Sequence, residues 1–108
     1  MTYVDALSAL ADPTRRAVFE SLRAGPAPVG AIAARLPVSR PAVSQHLKAL
    51  KQAGLVVDRA DGTRRVYFID PDGLDPLRRW LDQFWTDALD AFRREAERSD
   101  PVSVGDPK

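Results

Sequence analysis

The 108-residue chain contains no cysteine and a single histidine, His46. The first absence excludes disulfides, thiolate metal sites, iron–sulfur clusters and thiol redox switches together. The second leaves no partner for a two-histidine zinc site or for proton transfer between histidines. No apolar run approaches the ~18 residues of a membrane span, and the opening residues lack the basic, apolar, small-residue order of a signal peptide. The chain is therefore expected to work in the cytoplasm, without membrane, metal or cofactor. Net charge is almost absent too, because 16 Lys and Arg face 15 Asp and Glu. Read alone, that balance argues against a polyanionic partner. What remains, 44% hydrophobic and 29% charged residues, is the composition of a globular protein. The length allows one domain with a small core, which dimerisation would extend.

The charge is unevenly spread. Residues 1–69 carry ten basic and five acidic side chains, an excess of five positive; residues 70–108 carry six and ten, an excess of four negative. Between Arg35 and Arg65 the basic bias sharpens, with Arg40, Lys48, Lys51, Arg59 and Arg64 opposed only by Asp58 and Asp61. A localised basic stretch is the electrostatic footprint of a phosphate-backbone binder. A solvated surface with a chance excess of charge would look the same, so the motifs must decide.

Val4, Leu7 and Leu10 recur at helical spacing and predict a short first helix ending at Asp12-Pro13. Asp12 is placed to cap a second helix, with Pro13 in its first turn, running to about Leu22. Val18, Phe19 and Leu22 face inward in this reading, and Arg15, Arg16 and Arg23 face solvent. A third helix spans about Val29 to Leu36, poorly capped because Pro28 precedes it. Ser39 caps a fourth over about 40–53, which Gly54 stops. The period then changes to two over about 55–69, with Asp61-Gly62 as a hairpin turn, predicting two strands that must pack on the helices. Asp70-Pro71-Asp72-Gly73 reads as a loop. Beyond it a long amphipathic helix over about 74–98 extends ~36 Å at 1.5 Å per residue. That exceeds the width expected of the rest of the domain, so its apolar stripe is expected to continue onto a second subunit. Residues 1–98 are read as one domain, and residues 99–108 as a disordered tail.

This order is that of a winged helix-turn-helix: mainly α with a small β-hairpin, the second helix of the pair entering the major groove of DNA. At about 100° per residue, Val43, Leu47 and Leu50 face the core, while Pro41, Ser44, Gln45 and Lys48 face away. The chemistry suits base reading: Arg40 bidentate to guanine, Gln45 to adenine, Ser44 to either, Ala42 against a thymine methyl. Lys48 and Lys51 suit phosphates. His46 lies at the edge of the buried face, where DNA contact and packing at the turn are about equally expected. At the wing, strand alternation sends Arg64 and Arg65 to opposite sides, and Arg64, nearer the tip, is the one expected on DNA. The candidate DNA-contacting set is thus Ser39, Arg40, Ala42, Ser44, Gln45, His46, Lys48, Arg64 and Arg65. Singly, each reads as an ordinary solvated side chain; only the set, framed by the helix-turn-helix and the basic hairpin, favours DNA.

Three runs resemble the arsenic-repressor (ArsR/SmtB) family of bacterial transcriptional regulators. They are Leu10-Ala11-Asp12-Pro13-Thr14-Arg15, then Pro41 to Leu50 with Ala53-Gly54-Leu55-Val56, and then Gly62-Thr63-Arg64-Arg65-Val66-Tyr67-Phe68. The resemblance covers roughly residues 4–96. It implies a homodimeric repressor on an inverted-repeat operator of double-stranded DNA, with the first and last helices forming the dimer interface. In this chain that interface is expected to hold Val4, Leu7, Leu77, Leu81, Phe84, Trp85, Leu89 and Phe92. The cysteine pair of metal-sensing members has no counterpart in Val29-Gly30-Ala31-Ile32-Ala33, and the last helix has carboxylates but no histidine. The match is therefore to metal-independent members, often autoregulatory, and no small-molecule effector can be named from the residues.

The alternative is a winged-helix module that binds a protein partner, since fold does not fix function. The basic bias and the short polar side chains of the fourth helix argue against it, because protein-binding faces usually need aromatic or aliphatic anchors. An enzyme is the least expected class, as neither a nucleophile–base pair nor a phosphate-binding glycine loop is present.

Overall fold

A computed structural model of the chain describes residues 2–98; the expected disorder of 99–108 lies outside the described residues. Helix α1 (Tyr3–Ala11) opens with a reciprocal cap: the Asp5 amide donates to the Thr2 hydroxyl at 3.3 Å, and the Thr2 amide donates to the Asp5 carboxylate at 3.0 Å. Asp12 caps α2 (Pro13–Glu20) by accepting from the Arg15 amide at 2.9 Å, with Pro13 in the first turn as expected. Helix α2 is shorter than the spacing predicts, because Ser21–Ala24 tightens into a 3-10 turn.

The expected two-stranded hairpin is a three-stranded antiparallel sheet. Strand β1 (Ala27–Pro28) pairs with β3 (Arg64–Ile69), which also pairs with β2 (Val56–Asp61), in the order β1-β3-β2. Pro28 lacks an amide donor, and an edge strand is where that loss is tolerated. The turn is Gly62-Thr63 rather than Asp61-Gly62, since Asp61 still pairs with Arg64; Gly62 takes φ +66°, a region open to a residue without Cβ.

Helix α3 (Val29–Arg35) follows β1 directly without a side-chain cap, as the Pro28 position foretold. Ser39 caps α4 (Arg40–Gln52), accepting from the Ala42 amide at 3.3 Å. The core gathers Val18, Leu22, Ala27, Ile32, Val43, Leu47, Leu50, Leu55 and Val56, all essentially without solvent exposure. It thereby ties α2, α3 and α4 to the sheet.

The segment 70–73, expected as a loop, starts α5 (Pro71–Arg98). Asp70 acts as its cap, accepting from the Asp72 amide at 3.0 Å, and Pro71 occupies the first turn, where no donor is needed. The Asp70 amide donates to the Leu55 carbonyl at 3.0 Å, and Gly73 lies so close to Gly54 that a Cβ there would overlap the Gly54 carbonyl oxygen.

The chain divides into two compact units after Leu77, where one domain through residue 98 is expected. No side chain of α5 is buried, so the helix from Arg78 onward has no core of its own. Within that second unit Leu81, Phe84, Trp85 and Phe92 are exposed, Trp85 to 65%, and Trp80 stacks on Phe84 with ring centroids 5.6 Å apart. Trp85, Ala88, Leu89 and Phe92 line a groove of about 300 Å³. Leu77 differs from the dimer-surface expectation: it is half-buried against the core of the first unit. On α1, Val4 and Leu7 are exposed while Ala6 and Ala9 face inward.

Candidate nucleic-acid interface

Helix α4 is built to hold one face rigid and leave the other free. Val43, Leu47 and Leu50, spaced four and three residues apart, are fully buried, which fixes the rotation of the helix about its axis. Rotation then decides the rest. Arg40, Pro41, Ser44, Gln45 and Lys48 are exposed, Ala42 is half-buried, and Ser39 is exposed at the cap. Lys48 has no hydrogen-bond or ion-pair partner among the described residues, so it is available to an anion.

His46 sits between the two faces. It is half-buried, and its Nδ1 is enclosed without a hydrogen-bond partner. Nearby Asp12 has its carboxyl held below the ordinary range, first by the Arg15 amide it accepts from and to a lesser extent by electrostatic interaction with the His46 side chain. The inner edge of the ring is turned into the protein, toward the junction of α2 with α4. Arg15 departs from its expected solvent position: it is half-buried, with an enclosed and unpartnered Nε.

The cations of the basic stretch are not equivalent. Lys51, expected on phosphate, bonds Asp58 at 2.7 Å, and Arg65 bonds the other oxygen of the same carboxylate at 2.6 Å. Asp58 lies on β2 opposite Tyr67, so Arg65 is its diagonal cross-strand neighbour. The Asp58 side chain is only 7% exposed. The Lys51 and Arg65 hydrogen bonds hold its carboxyl below the usual carboxylate range. Arg59 lies over the Phe68 ring at 5.3 Å. Arg64, by contrast, has only a 3.4 Å contact with exposed Asp61.

Sequence alternation was expected to part Arg64 from Arg65, yet both line one groove of about 470 Å³ together with Arg40, Tyr67, Pro28 and the first turn of α3. Gly30 makes this meeting possible. The Arg40 guanidinium lies flat over it, with Cζ, Nη2 and Nη1 at 3.3, 3.3 and 3.4 Å from where a Cβ would stand. The sequence reading missed Gly30, Asp58 and Tyr67. Gly30 gives no sequence signal, whereas Asp58, one of only two carboxylates between Arg35 and Arg65, does.

Among the described residues no three side chains of metal-ligating type come together, and no helix is long and apolar enough to cross a membrane.

A helix-turn-helix domain family model matches residues 10–59. The HTH-type transcriptional regulator Rv2034 of Mycobacterium tuberculosis is 63% identical over 87 residues, which cover 81% of this chain and 81% of that protein. The chain belongs to the ArsR family of winged helix-turn-helix transcriptional regulators. Two further comparisons agree. The transcriptional repressor SdpR of Bacillus subtilis is 34% identical over 76 residues, 70% of this chain and 84% of its own. A solved structure, the homodimeric winged helix-turn-helix DNA-binding domain Mb0332 of Mycobacterium bovis, is described as a possible ArsR-family transcriptional regulator. It aligns with a TM-score of 0.63 at 33% identity, covering 78% of this chain and 77% of that one. The ArsR assignment makes the protein a DNA-binding transcriptional regulator and not an enzyme. In ArsR terms α3 and α4 are the helix-turn-helix pair, and β2–β3 is the wing.

Proposed function

We propose that the protein is a homodimeric, cytoplasmic transcriptional repressor that reads an inverted-repeat operator with α4 of each subunit and controls its own gene. The observation that carries this reading is the outward face of α4. Ser44 and Gln45 are short polar groups on a helix whose opposite side is locked by Val43, Leu47 and Leu50, and rigid presentation of this kind lets side chains discriminate base edges. Ser39, Ala42 and His46 flank that face, Lys48 is free to hold a phosphate, and Arg64 brings the wing to the flanking backbone, with Arg65 beside it held by Asp58. That SdpR is a repressor and that Mb0332 is homodimeric supports repression and dimerisation here.

Dimerisation has its own physical argument. Val4 and Leu7 on α1, and Leu81, Phe84, Trp85 and Phe92 on α5, with half-buried Leu89 beside them, are apolar side chains that the subunit leaves uncovered. Apolar exposure of that extent on each helix marks an interaction surface. A two-fold dimer presents two copies of α4 related by symmetry, and the operator inherits that symmetry with half-sites about 34–36 Å apart.

The test is a gel shift with a duplex enriched by the wild-type protein from a random pool and with the DNA upstream of its own gene. Gln45→Ala with Ser44→Ala should cost roughly 1–3 kcal/mol of discrimination per lost base contact. The dimer should stay intact. Unchanged preference for the enriched duplex in the double variant would remove the base-reading role, and no binding to the upstream DNA would remove autoregulation.

A further inference from the structure

Arg40 heads the recognition helix, and on residue type alone it reads as a guanine reader. Its placement says otherwise. The guanidinium is stacked flat on Gly30 of α3, which leaves the N–H donors around its rim pointing out in the plane. Among the described residues none of those donors has a hydrogen-bond or ion-pair partner. The same groove holds Arg64, whose one partner among the described residues is exposed Asp61 at 3.4 Å, and its β3 neighbour Arg65. Tyr67, Pro28, Val29 and Ala31 complete the lining. Three guanidinium groups from two different elements thus converge on a volume of about 470 Å³ whose described lining holds no carboxylate, Arg64 contacting Asp61 and Arg65 bonding Asp58 outside that lining.

We propose that this groove seats a backbone phosphodiester of bound DNA, clamped between Arg40 and the wing, so that Arg40 fixes the register of α4 in the groove and does not read a base. The chemistry is that of a guanidinium fork on a tetrahedral oxyanion, for which unpaired in-plane donors are the requirement. A Cβ at residue 30 would press on the guanidinium at 3.3 Å, and a side chain much longer than alanine would take the place where it rests. This inference rests on the DNA-reading role assigned to α4 and assigns Arg40 a different part in it from that of Ser44 and Gln45.

The experiment compares binding of the full chain to the duplex it enriches from a random pool and to a scrambled duplex of the same composition, by fluorescence anisotropy across a salt series. Arg40→Ala should weaken both by the same factor, roughly tenfold, and flatten the salt slope by about one unit per subunit. The ratio between the two duplexes should persist. Arg40→Lys should recover most of the loss, because a phosphate accepts a point charge where a bidentate guanine contact does not. Gly30→Leu, with its fold checked by circular dichroism, should reproduce the Arg40→Ala loss although the charge is still present.

A fall in the ratio with unchanged scrambled-duplex affinity and unchanged salt slope would mean that Arg40 reads a base and would overturn the proposal. Wild-type affinity for both duplexes in Arg40→Ala, or in Gly30→Leu, would overturn it equally. Failure of the wild-type protein to enrich any sequence would sink the operator-reading role instead, while the scrambled-duplex arm would still decide whether the groove holds phosphate.

Discussion

Replacing Asp58 with asparagine should do two things of opposite value: destabilise the fold and strengthen binding to DNA irrespective of sequence. The carboxylate is 7% exposed and accepts from Lys51 at 2.7 Å and from Arg65 at 2.6 Å, linking the end of α4 to both strands of the wing. Lys51 and Arg65 are themselves 55% and 56% exposed, so solvent screening keeps each pair near the surface value of roughly 0.2–1 kcal/mol. Two pairs on one partly enclosed carboxylate then amount to about 0.4–2 kcal/mol, or a melting temperature lower by roughly 2–10 °C for a domain of this size. The sign with pH follows from the direction of the shift. Because the folded carboxyl titrates below its ordinary value of 3.8, its stabilisation is present above pH ~4 and is lost as pH falls through the folded value. The gap in melting temperature between wild type and Asp58→Asn, measured at equal protein concentration, should therefore be full at pH 7 and close below pH ~4. On DNA the same substitution releases two cations, raising affinity for a scrambled duplex and steepening the salt slope by up to about two units per subunit. A gap that stays constant down to pH 3 would refute the ion-pair account. A salt slope equal to that of wild type would show that Lys51 and Arg65 do not face the duplex.

Gly73→Ala separates local propensity from packing. Alanine is about 1 kcal/mol better than glycine inside a helix, so propensity alone predicts stabilisation. The new Cβ would overlap the Gly54 carbonyl, backbone against backbone, so chemical denaturation should instead report a net loss of about 2 kcal/mol or more. Ser39→Ala removes the α4 cap and should cost about 0.5–1 kcal/mol, at the low end because the bond is 3.3 Å, as read from the urea midpoint. Trp85→Ala, at a side chain 65% exposed in the isolated subunit, should weaken self-association by about thirty-fold or more in sedimentation equilibrium, the loss expected of a ~2 kcal/mol anchor. A Trp85→Ala dimer as tight as wild type would place the subunit interface elsewhere.

The recognition helix was fully legible in the sequence because every local signal agreed. Ser39 supplies the cap, Val43, Leu47 and Leu50 supply the period, Gly54 supplies the stop, and the structure places each accordingly. The wing was legible as two strands from its β-branched and aromatic runs. Strand β1 was not, since two residues ending in proline carry no periodicity and exist as a strand only because β3 presents an edge. The start of α5 failed for a related reason: Asp70-Pro71-Asp72-Gly73 has the composition of a turn, yet Asp-Pro is equally a cap followed by a first helical residue. Which applies is set by the Asp70–Leu55 bond and by the approach of Gly73 to Gly54, both long-range. Site residues followed the same division. Faces of α4 came from periodicity, whereas the hold of Asp58 on Lys51 and Arg65, and the resting place of Arg40 on Gly30, join residues from separate elements.

Those long-range contacts change what the basic stretch means. Counted along the chain, seven cations from Arg35 to Arg65 oppose two carboxylates. In the fold, Arg35 donates to the Ser21 carbonyl at 2.7 Å, Lys51 and Arg65 share Asp58, and Arg59 lies over Phe68. Arg40, Lys48 and Arg64 remain without a short protein contact among the described residues. All three stand where α4 and the wing would meet a duplex, so the number of phosphates neutralised per subunit should be near three rather than near seven. The salt dependence of DNA binding is thus set by how the fold distributes its cations, and the near-zero net charge of the whole chain bears on it hardly at all.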